Sequence, residues 1–319
     1  HTGTLPSKTL RETALYLAGF RQRAVFGFQF TLGRDVTLSE LMYKKTEVIR
    51  KQMEVVIEQL SRNNVEIIYG DASFIDKNSL SIRKKDNTTL RCAAGCIIIA
   101  TGTKPARPPD VPFDKDHIYD SDSILGLDII PQNLTIVGGG VIGCEYACIF
   151  AALGVRVTLV EKKDRLLSFA DEEIVTSLVY WMRQSGVTMR LGEEVVDIKV
   201  IGRQGAGVET RLKSGKAVTS QKLLYTMGRV GNTGTLGLEA IGITPNDRGL
   251  LGVNDCFQTS VPHIYAVGDV IGFPSLASTS MEQGRRAVCH AFQKEGQTCA
   301  YTAFMPFGVY TIPEISMVG

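Results

Sequence analysis

One stretch of the chain decides the fold, Leu134-Thr-Ile-Val-Gly-Gly-Gly-Val-Ile-Gly143, together with Val155-Arg-Val-Thr-Leu-Val-Glu161 downstream. An apolar strand leads into three spaced glycines, and a helix, a second strand and an acid follow. This order is typical of a βαβ unit that binds a dinucleotide at the helix N-terminus. We expect Gly138 to form the tight turn, Gly140 to let the backbone approach a pyrophosphate, and Gly143 to let helix and strand pack closely.

The residues at the end of the second strand bear on which nucleotide binds. Glu161 stands where a carboxylate can accept hydrogen bonds from an adenosine ribose, which favours NAD. Lys162, Lys163 and Arg165 follow at once, and their charges could hold the 2′-phosphate of NADP. A solvated strand end explains the same cations equally well. The sequence therefore leaves both NAD and NADP open.

Hydrophobic periodicity places this unit in a longer βαβα alternation, which predicts an α/β fold with a parallel sheet. The expected strands are 133–137, 155–161, 195–200, 208–212 and 222–226, and the expected helices are 141–153 and 171–185. Upstream we expect a helix from Pro6 to about Gln22, and strands at 65–69, 79–83 and 96–100. A longer helix opens at a capping box, Thr37 and Glu40, and runs to about Arg62.

A domain boundary is expected between Lys104 and Pro112, where four prolines favour an extended connector. The 319 residues are enough for two domains, since one hydrophobic core rarely serves more than about 250 to 300 residues.

Composition excludes several classes of protein. The 35 Lys and Arg nearly balance 33 Asp and Glu, so no charge field favours nucleic acid or an anionic membrane, and we expect small-molecule partners. Seven cysteines at low density favour a reducing compartment, and no apolar run is long enough to cross a bilayer. The expected location is the cytoplasm. The histidines and cysteines have no zinc-site spacing, so no metal is expected.

A second ligand site is indicated by Ile264-Tyr-Ala-Val-Gly268-Asp269, an apolar strand that ends in Gly-Asp and precedes a helix from about Leu276. An earlier strand ends similarly at Ala100-Thr-Gly102. An acid at the carboxyl end of a strand stands where α/β sheets bind ligands, although a turn or capping aspartate would leave the same pattern.

Several separated motifs resemble the flavoprotein disulfide reductase family, which includes glutathione reductase and lipoamide dehydrogenase. They occur in the family's order around the dinucleotide unit, and they are Gly3-Thr-Leu-Pro-Ser-Lys8, Ala100-Thr-Gly102, Gly228-Arg229, Asn232-Thr233 and Gly268-Asp269. The resemblance implies that FAD is bound in addition to NAD or NADP, with Asp269 on the ribityl chain. The resemblance also implies that Gly102, Gly228 and Gly268 are cofactor-binding residues.

The same resemblance implies where the chemistry takes place. The helix that starts near Ala277 would point its positive end at the isoalloxazine and stabilise the reduced form. Lys8 and Glu145 match the family's ion pair beside flavin N5, where hydride passes. Taken alone, a surface lysine and a first-turn acid favoured by the helix dipole would explain the two residues as well.

Thr4 departs from the family pattern. The family motif reads Gly-Cys-x-Pro-x-Lys, and its cysteine forms a redox disulfide beside the flavin, whereas this chain has Thr4 in that place. A hydroxyl cannot cycle between thiolate and disulfide, so no thiol relay is expected. Cys144 and Cys148 lie outside the motif and are interpreted as buried small hydrophobes.

In lacking this cysteine, the chain is similar to the soluble transhydrogenase branch of the family. Tyr119-Asp-Ser-Asp-Ser-Ile-Leu125 and Gly140-Val-Ile-Gly-Cys-Glu-Tyr-Ala147 are similar to the same branch. The implied activity is FAD-mediated, ping-pong hydride transfer from NADPH to NAD, in a homodimer or larger homo-oligomer. A disulfide reductase such as lipoamide dehydrogenase, or a non-catalytic nucleotide-binding module, remain the alternatives.

The implied architecture has two Rossmann-like domains, with the NAD(P) domain inserted in the FAD domain. The expected bounds are 1–112 and 246–298 for the FAD domain, 113–245 for the NAD(P) domain, and 299–319 for the start of an α+β dimerisation domain. The first βαβ unit of the FAD domain is expected to precede residue 1, and the dimerisation domain is expected to continue beyond residue 319.

Overall fold

The computed structural model describes residues 4–24, 38–202, 207–293 and 306–318. The chain divides into two compact units. Unit 1 comprises His1–Gln59, Pro105–Met227 and Gly308–Met317, and unit 2 comprises Leu60–Lys104, Gly228–Phe307 and Val318–Gly319. The cofactor domains expected from the resemblance stay a prediction, because backbone contacts alone assign no cofactor to a unit.

Each of the helices predicted from the sequence is present within the described residues. The helices are α1 (Thr4–Ala24), α2 (Leu38–Arg62), α3 (Val141–Ala152), α4 (Glu172–Gln184) and α5 (Ala277–Ala291). Helix α4 begins where Asp171 accepts hydrogen bonds from the N–H groups of Glu173, at 2.9 Å, and Ile174, at 3.3 Å. The capping box predicted for α2 includes Thr37, which lies outside the described residues.

The strands are short, and several more are present than the sequence pattern predicted. They are β1 (Asp71–Phe74), β2 (Ser79–Arg83), β3 (Thr89–Ala93), β4 (Ile97–Ile99), β5 (Thr103–Pro105), β6 (Ile118–Asp120), β7 (Asn133–Val137), β8 (Arg156–Glu161), β9 (Thr188–Leu191), β10 (Val195–Ile201), β11 (Gly207–Leu212), β12 (Ala217–Ser220), β13 (Lys222–Tyr225), β14 (Arg229–Gly231), β15 (Ile264–Ala266), β16 (Pro306–Val309) and β17 (Ile315–Val318).

A five-stranded parallel sheet lies at the centre of unit 1, in the order β6-β13-β7-β8-β9. Its inner strands are apolar on both faces, and Leu134, Ile136 and Leu159 are fully buried. Helix α3 follows β7 directly and is buried along most of its length, with α1 packed against it. A separate antiparallel sheet, β10-β11-β12, also belongs to unit 1. The predicted α/β class with a parallel, Rossmann-like sheet is confirmed.

Unit 2 contains an antiparallel sheet, β1-β2-β3, and a parallel strand pair, β4 and β15. Ile97 lies opposite Ile264 and Ile99 opposite Ala266 in this pair, and all four belong to one buried apolar cluster. Because β4 and β15 run in the same direction, their carboxyl ends lie side by side. This register brings the two sequence motifs that follow these strands together.

One predicted strand is wrong. Residues 65–69 form no strand, although Val65, Ile67 and Tyr69 have high strand propensity, and these three side chains are exposed. Asn64 has a φ of +55°, and the Val65 N–H donates to the Leu60 carbonyl at 2.9 Å, which closes the last turn of α2. The segment therefore serves as a helix end, and tertiary context outweighs its local propensity.

Candidate active site

The glycine loop after β7 is closely packed on one side and open on the other. Gly138 has a φ of +112°, and a Cβ on Gly143 would lie 1.8 Å from the Gly138 carbonyl oxygen, so no other residue fits at 143. Gly140 is the N-cap of α3, and a Cβ there would have no neighbour within 4 Å. The open side leaves room for a pyrophosphate at the helix N-terminus, where unpaired N–H groups favour anions. The contact of Gly140 with a cofactor stays a prediction.

Glu161, the last residue of β8, lies against this loop. Its Oε2 accepts a hydrogen bond from the Gly139 N–H at 2.5 Å, and its Oε1 accepts one from the Lys163 N–H at 2.8 Å. The carboxylate is thus held beside the glycine loop in a fixed orientation. Its expected hydrogen bond to a ribose stays a prediction.

The cations that follow Glu161 all have partners in the protein. Lys162 Nζ lies 2.6 Å from Glu194 Oε1. Lys163 Nζ donates to a nearby serine hydroxyl at 2.8 Å, and Arg165 Nη2 donates to the Ala170 carbonyl at 2.5 Å. Arg165 Nε is buried and has no hydrogen-bond partner in the described part of the chain. The 2′-phosphate role considered for Lys162 and Arg165 stays a prediction.

A cleft of about 290 Å³ opens at the carboxyl ends of β7, β8 and β13. This is the edge at which parallel α/β sheets bind ligands. Apolar and charged side chains share its wall, among them Val137, Val160, Lys162, Glu193, Glu194 and Asp197.

Lys8 and Glu145 form an ion pair within unit 1. Lys8 Nζ lies 2.8 Å from Glu145 Oε2 and 3.0 Å from Oε1. The Glu145 side chain is only 5% exposed, and its Oε1 also accepts the Tyr310 N–H at 2.9 Å. The Tyr310 ring lies against the ammonium group, 4.6 Å from Lys8 Nζ to the ring centroid. The structure therefore brings two predicted site residues together and adds Tyr310, which the sequence analysis missed.

Thr4 is the first residue of α1 and is exposed. Cys144 and Cys148, which flank Glu145 on α3, are free thiols that are almost fully buried. Burial, and then the neighbouring Cys148, Glu161 and Glu145, raise the pKa of Cys144 well above its usual value. Burial likewise raises the pKa of Cys148 to about 11. Both thiols are protonated at neutral pH, and their interpretation as buried small hydrophobes is confirmed.

In unit 2 the two strand-end motifs meet, as the register of β4 and β15 requires. Thr103 Oγ1 donates to Asp269 Oδ2 at 3.3 Å. Arg229 holds Thr103 from the other side, through Nε to Oγ1 and Nη2 to the carbonyl, both at 2.8 Å. Asn232 donates to the Thr101 carbonyl at 3.0 Å. The sequence signal for Thr103 was only its place beside Gly102.

The remaining predicted residues of unit 2 lie around the same strand ends. Gly102, Gly228 and Gly268 have φ values of +66°, +95° and +77°, a region that favours glycine. The Gly268 N–H donates to Gln283 Oε1 at 2.7 Å, which ties this turn to α5. Ala277 is the first residue of α5. Cofactor contacts of these residues stay predictions.

Neither a membrane span nor a metal centre is found among the described residues. No described helix is both long enough and apolar enough to cross a membrane. No group of three or more His, Cys, Asp or Glu within the described ranges could hold a metal ion.

A parallel sheet with a glycine loop, joined to a second unit with paired strand-end motifs, defines a class of nucleotide-dependent oxidoreductases. Residues 2–284 match the model of this class, and the chain belongs to the pyridine nucleotide-disulphide oxidoreductase family. Within it, the chain is 47% identical over 322 residues to the soluble pyridine nucleotide transhydrogenase of Mycobacterium tuberculosis. It is 44% identical over 319 residues to the protein of that name from Colwellia psychrerythraea. Both alignments cover 100% of this chain and 67% of the relative.

Solved structures agree with this family. LpdA from Mycobacterium tuberculosis is similar with a TM-score of 0.91 at 29% identity, over 99% of this chain and 68% of that one. The HOCl-induced flavoprotein disulfide reductase RclA from Escherichia coli has a TM-score of 0.83 at 27% identity, over 99% of this chain and 67% of that one. The family resemblance inferred from the sequence is confirmed.

Proposed function

We propose that this chain is the core of a soluble transhydrogenase, which moves hydride from NADPH to NAD by a ping-pong route with FAD as carrier and without a redox-active disulfide. The reaction is reversible. The names of relatives at 44% and 47% identity support this activity. Family membership and the flavoprotein among the structural neighbours support FAD and pyridine nucleotides as cofactors.

One observation carries the proposal: the Lys8–Glu145 ion pair is present although the turn that begins α1 has Thr4 and no cysteine. Electrons therefore have no thiol to enter at this turn. The two thiols on α3, Cys144 and Cys148, have raised pKa values and cannot supply a thiolate at neutral pH. An ion pair at this place, with no redox-active cysteine in the turn that begins α1, fits hydride transfer between two nucleotides.

The residues of unit 1 fit a dinucleotide. The N-terminus of α3 offers N–H groups on the open side of Gly140, and Glu161 is held beside them by the Gly139 N–H. We propose that the loop binds the pyrophosphate and that Glu161 accepts a hydrogen bond from the ribose. The Lys8–Glu145 pair would orient groups at the position where hydride passes, as the family resemblance implies.

The strand ends of unit 2 fit FAD. Asp269 accepts one long hydrogen bond, from Thr103, which leaves acceptor capacity for a ligand hydroxyl. Gly102 and Gly268 have no side chain to fill the space beside it, and the N-terminus of α5 begins at Ala277. Bound FAD would supply a carrier that takes up an electron pair from one nicotinamide and passes it to another. The protein contributes binding, orientation and a positive helix end.

A cytoplasmic location and a homodimeric or larger assembly are part of the proposal. The word "soluble" in the names of the relatives supports the first. The second rests on the family resemblance in residues 299–319 alone.

The test is a comparison of electron acceptors with the purified full-length protein. We expect a yellow protein that reduces a thio-NAD analogue with NADPH faster than it reduces lipoamide or glutathione disulfide. A Thr4→Ser variant should keep the rate, because no thiol chemistry passes through this position. Faster reduction of either disulfide would identify a disulfide reductase, and a colourless protein would identify a non-catalytic nucleotide-binding module.

A further inference from the structure

We propose that Glu194 sets the nucleotide preference of the cleft in unit 1: by pairing with Lys162 it withholds a cation from the 2′-position, so that the cleft binds NAD more tightly than NADP. This inference rests on the proposed function, in which the cleft is the nucleotide site. It decides between NAD and NADP, which the cations after Glu161 left open.

The cleft places the two residues at the position that matters. Val137 and Val160 lie at the carboxyl ends of β7 and β8, and Lys162 follows Glu161 directly. The adenosine ribose of a dinucleotide lies near the acid at the end of the second strand. Lys162 is thus the first cation that a 2′-phosphate would meet.

Lys162 already forms an ion pair with Glu194. Their charged atoms are 2.6 Å apart, and the second oxygen of Glu194 lies 3.4 Å from Lys213 Nζ. The hydrogen bonds from Lys162 and then Lys213 lower the pKa of Glu194, so the carboxylate stays charged across the neutral range. A 2′-phosphate would have to replace a carboxylate that is ionised at neutral pH.

The other two cations have neutral partners. Lys163 Nζ donates to the Ser168 hydroxyl at 2.8 Å, and Arg165 donates to the Ala170 carbonyl at 2.5 Å. Neither contact involves a carboxylate of the cleft. Of these three cations, Lys162 is therefore the one that is paired with an acid of the cleft.

Besides its apolar side chains, the wall of the cleft has four acids and one lysine. Asp110, Glu193, Glu194 and Asp197 line it together with a single lysine, Lys162. Glu193, Glu194 and Asp197 each pair with a lysine. A 2′-phosphate, with a charge of about −1.5 to −2, therefore meets no unpaired cation among the described residues of this lining, whereas the 2′-hydroxyl of NAD needs none. Glu161, beside the glycine loop, can accept a hydrogen bond from that hydroxyl.

The test is calorimetric binding of NAD and of NADP to the full-length, FAD-loaded protein. For the wild type we expect a lower Kd for NAD than for NADP. Glu194→Gln frees Lys162 and should lower the Kd for NADP by about three- to tenfold while changing that for NAD by less than about twofold. Adding Lys162→Ala to this variant should abolish the gain, because the freed cation is then absent.

Glu193→Gln is the matched control, since Glu193 lines the same cleft but pairs with Lys216 at 3.3 Å. It should change the ratio of the two Kd values much less than Glu194→Gln. An unchanged ratio in Glu194→Gln, or tighter binding of NADP by the wild type, overturns the inference. If the wild type binds neither nucleotide, the proposed function itself fails, which this same titration shows before any variant is made.

Discussion

Lys8 and Glu145 are 137 positions apart in the chain, yet their charged atoms lie 2.8 Å apart, and the carboxylate is almost completely buried. The backbone N–H of Tyr310 shares this carboxylate. A buried acid with two donors is held in one orientation, and the lysine that it holds is in turn fixed. This pair is the centre of the proposed chemistry, and the first prediction concerns it.

Glu145→Gln keeps an oxygen for the Tyr310 N–H but removes the charge that holds Lys8. We expect the rate of thio-NAD reduction by NADPH to fall about tenfold or more, which corresponds to ~1.4 kcal/mol of lost transition-state stabilisation. Steady-state kinetics measures it. Glu47→Gln is the control, because Glu47 forms an exposed ion pair with Arg50 on α2. Equal rates for Glu145→Gln and the wild type would contradict a role in the reaction.

The glycine loop predicts that two nearby substitutions both lower nucleotide affinity but that only one of them lowers stability. Gly143→Ala puts a Cβ 1.8 Å from a backbone oxygen, so the loop must move and both stability and nucleotide affinity should fall, stability by about 2 kcal/mol or more. Gly140→Ala has open space and should fold normally, yet its methyl group would occupy the side proposed for the pyrophosphate. We expect it to lose affinity for both nucleotides without a change in melting temperature. Undiminished affinity in Gly140→Ala would place the pyrophosphate elsewhere.

Asp114 predicts a pH dependence of stability. Burial of its carboxyl disfavours the charge, but hydrogen bonds from the N–H groups of Ile118 and His117 and from the His117 side chain outweigh this and lower its pKa to about 2. The unfolded value is near 3.8, so the folded state binds this proton less readily. The stabilisation is complete above about pH 4 and is lost as the pH falls towards about 2.

The measurement for Asp114 is urea unfolding of the wild type and of Asp114→Asn. The variant should be less stable by about 1 to 2 kcal/mol near neutral pH, a figure reduced for partial exposure of the carboxyl, and the difference should shrink towards zero at about pH 2. Asp128→Asn, at an exposed position just before β7, serves as control. A difference that grows on acidification would contradict the assignment.

The buried thiols on α3 predict resistance to alkylation. With its pKa raised to about 11, Cys148 is about one part in a thousand thiolate at pH 8, and Cys144 is less ionised still. Iodoacetamide should leave both unmodified in the folded protein while it reacts with the half-exposed Cys92, as mass spectrometry of tryptic peptides would show. Rapid labelling of Cys144 or Cys148 in the folded protein would contradict the absence of a thiol relay.

The sequence by itself determined the β7–α3–β8 unit. Residues 133–137 were predicted as a strand to the residue, and the helix that follows was predicted within one position, because apolar periodicity and glycine spacing are local properties. The family was also determined, since its motifs are short and keep their order along the chain. The position of Glu161 beside the glycine loop followed from the same local pattern.

Apart from the Lys8–Glu145 pair, which the family resemblance implied, tertiary structure decided which distant residues meet. Strands β1 and β12 have little hydrophobic periodicity of their own and form because a neighbouring strand supplies backbone hydrogen bonds. Residues 65–69 have strand propensity but no partner strand within the ranges that the structure describes. Lys162 forms an ion pair with Glu194, and Glu145 accepts a hydrogen bond from the Tyr310 N–H, although the partners are far apart in the sequence. Whether two such distant groups meet depends on how the fold brings their backbones together. It also depends on the free-energy cost of burying a charged or polar group without a partner, and the residues next to it in sequence determine neither quantity.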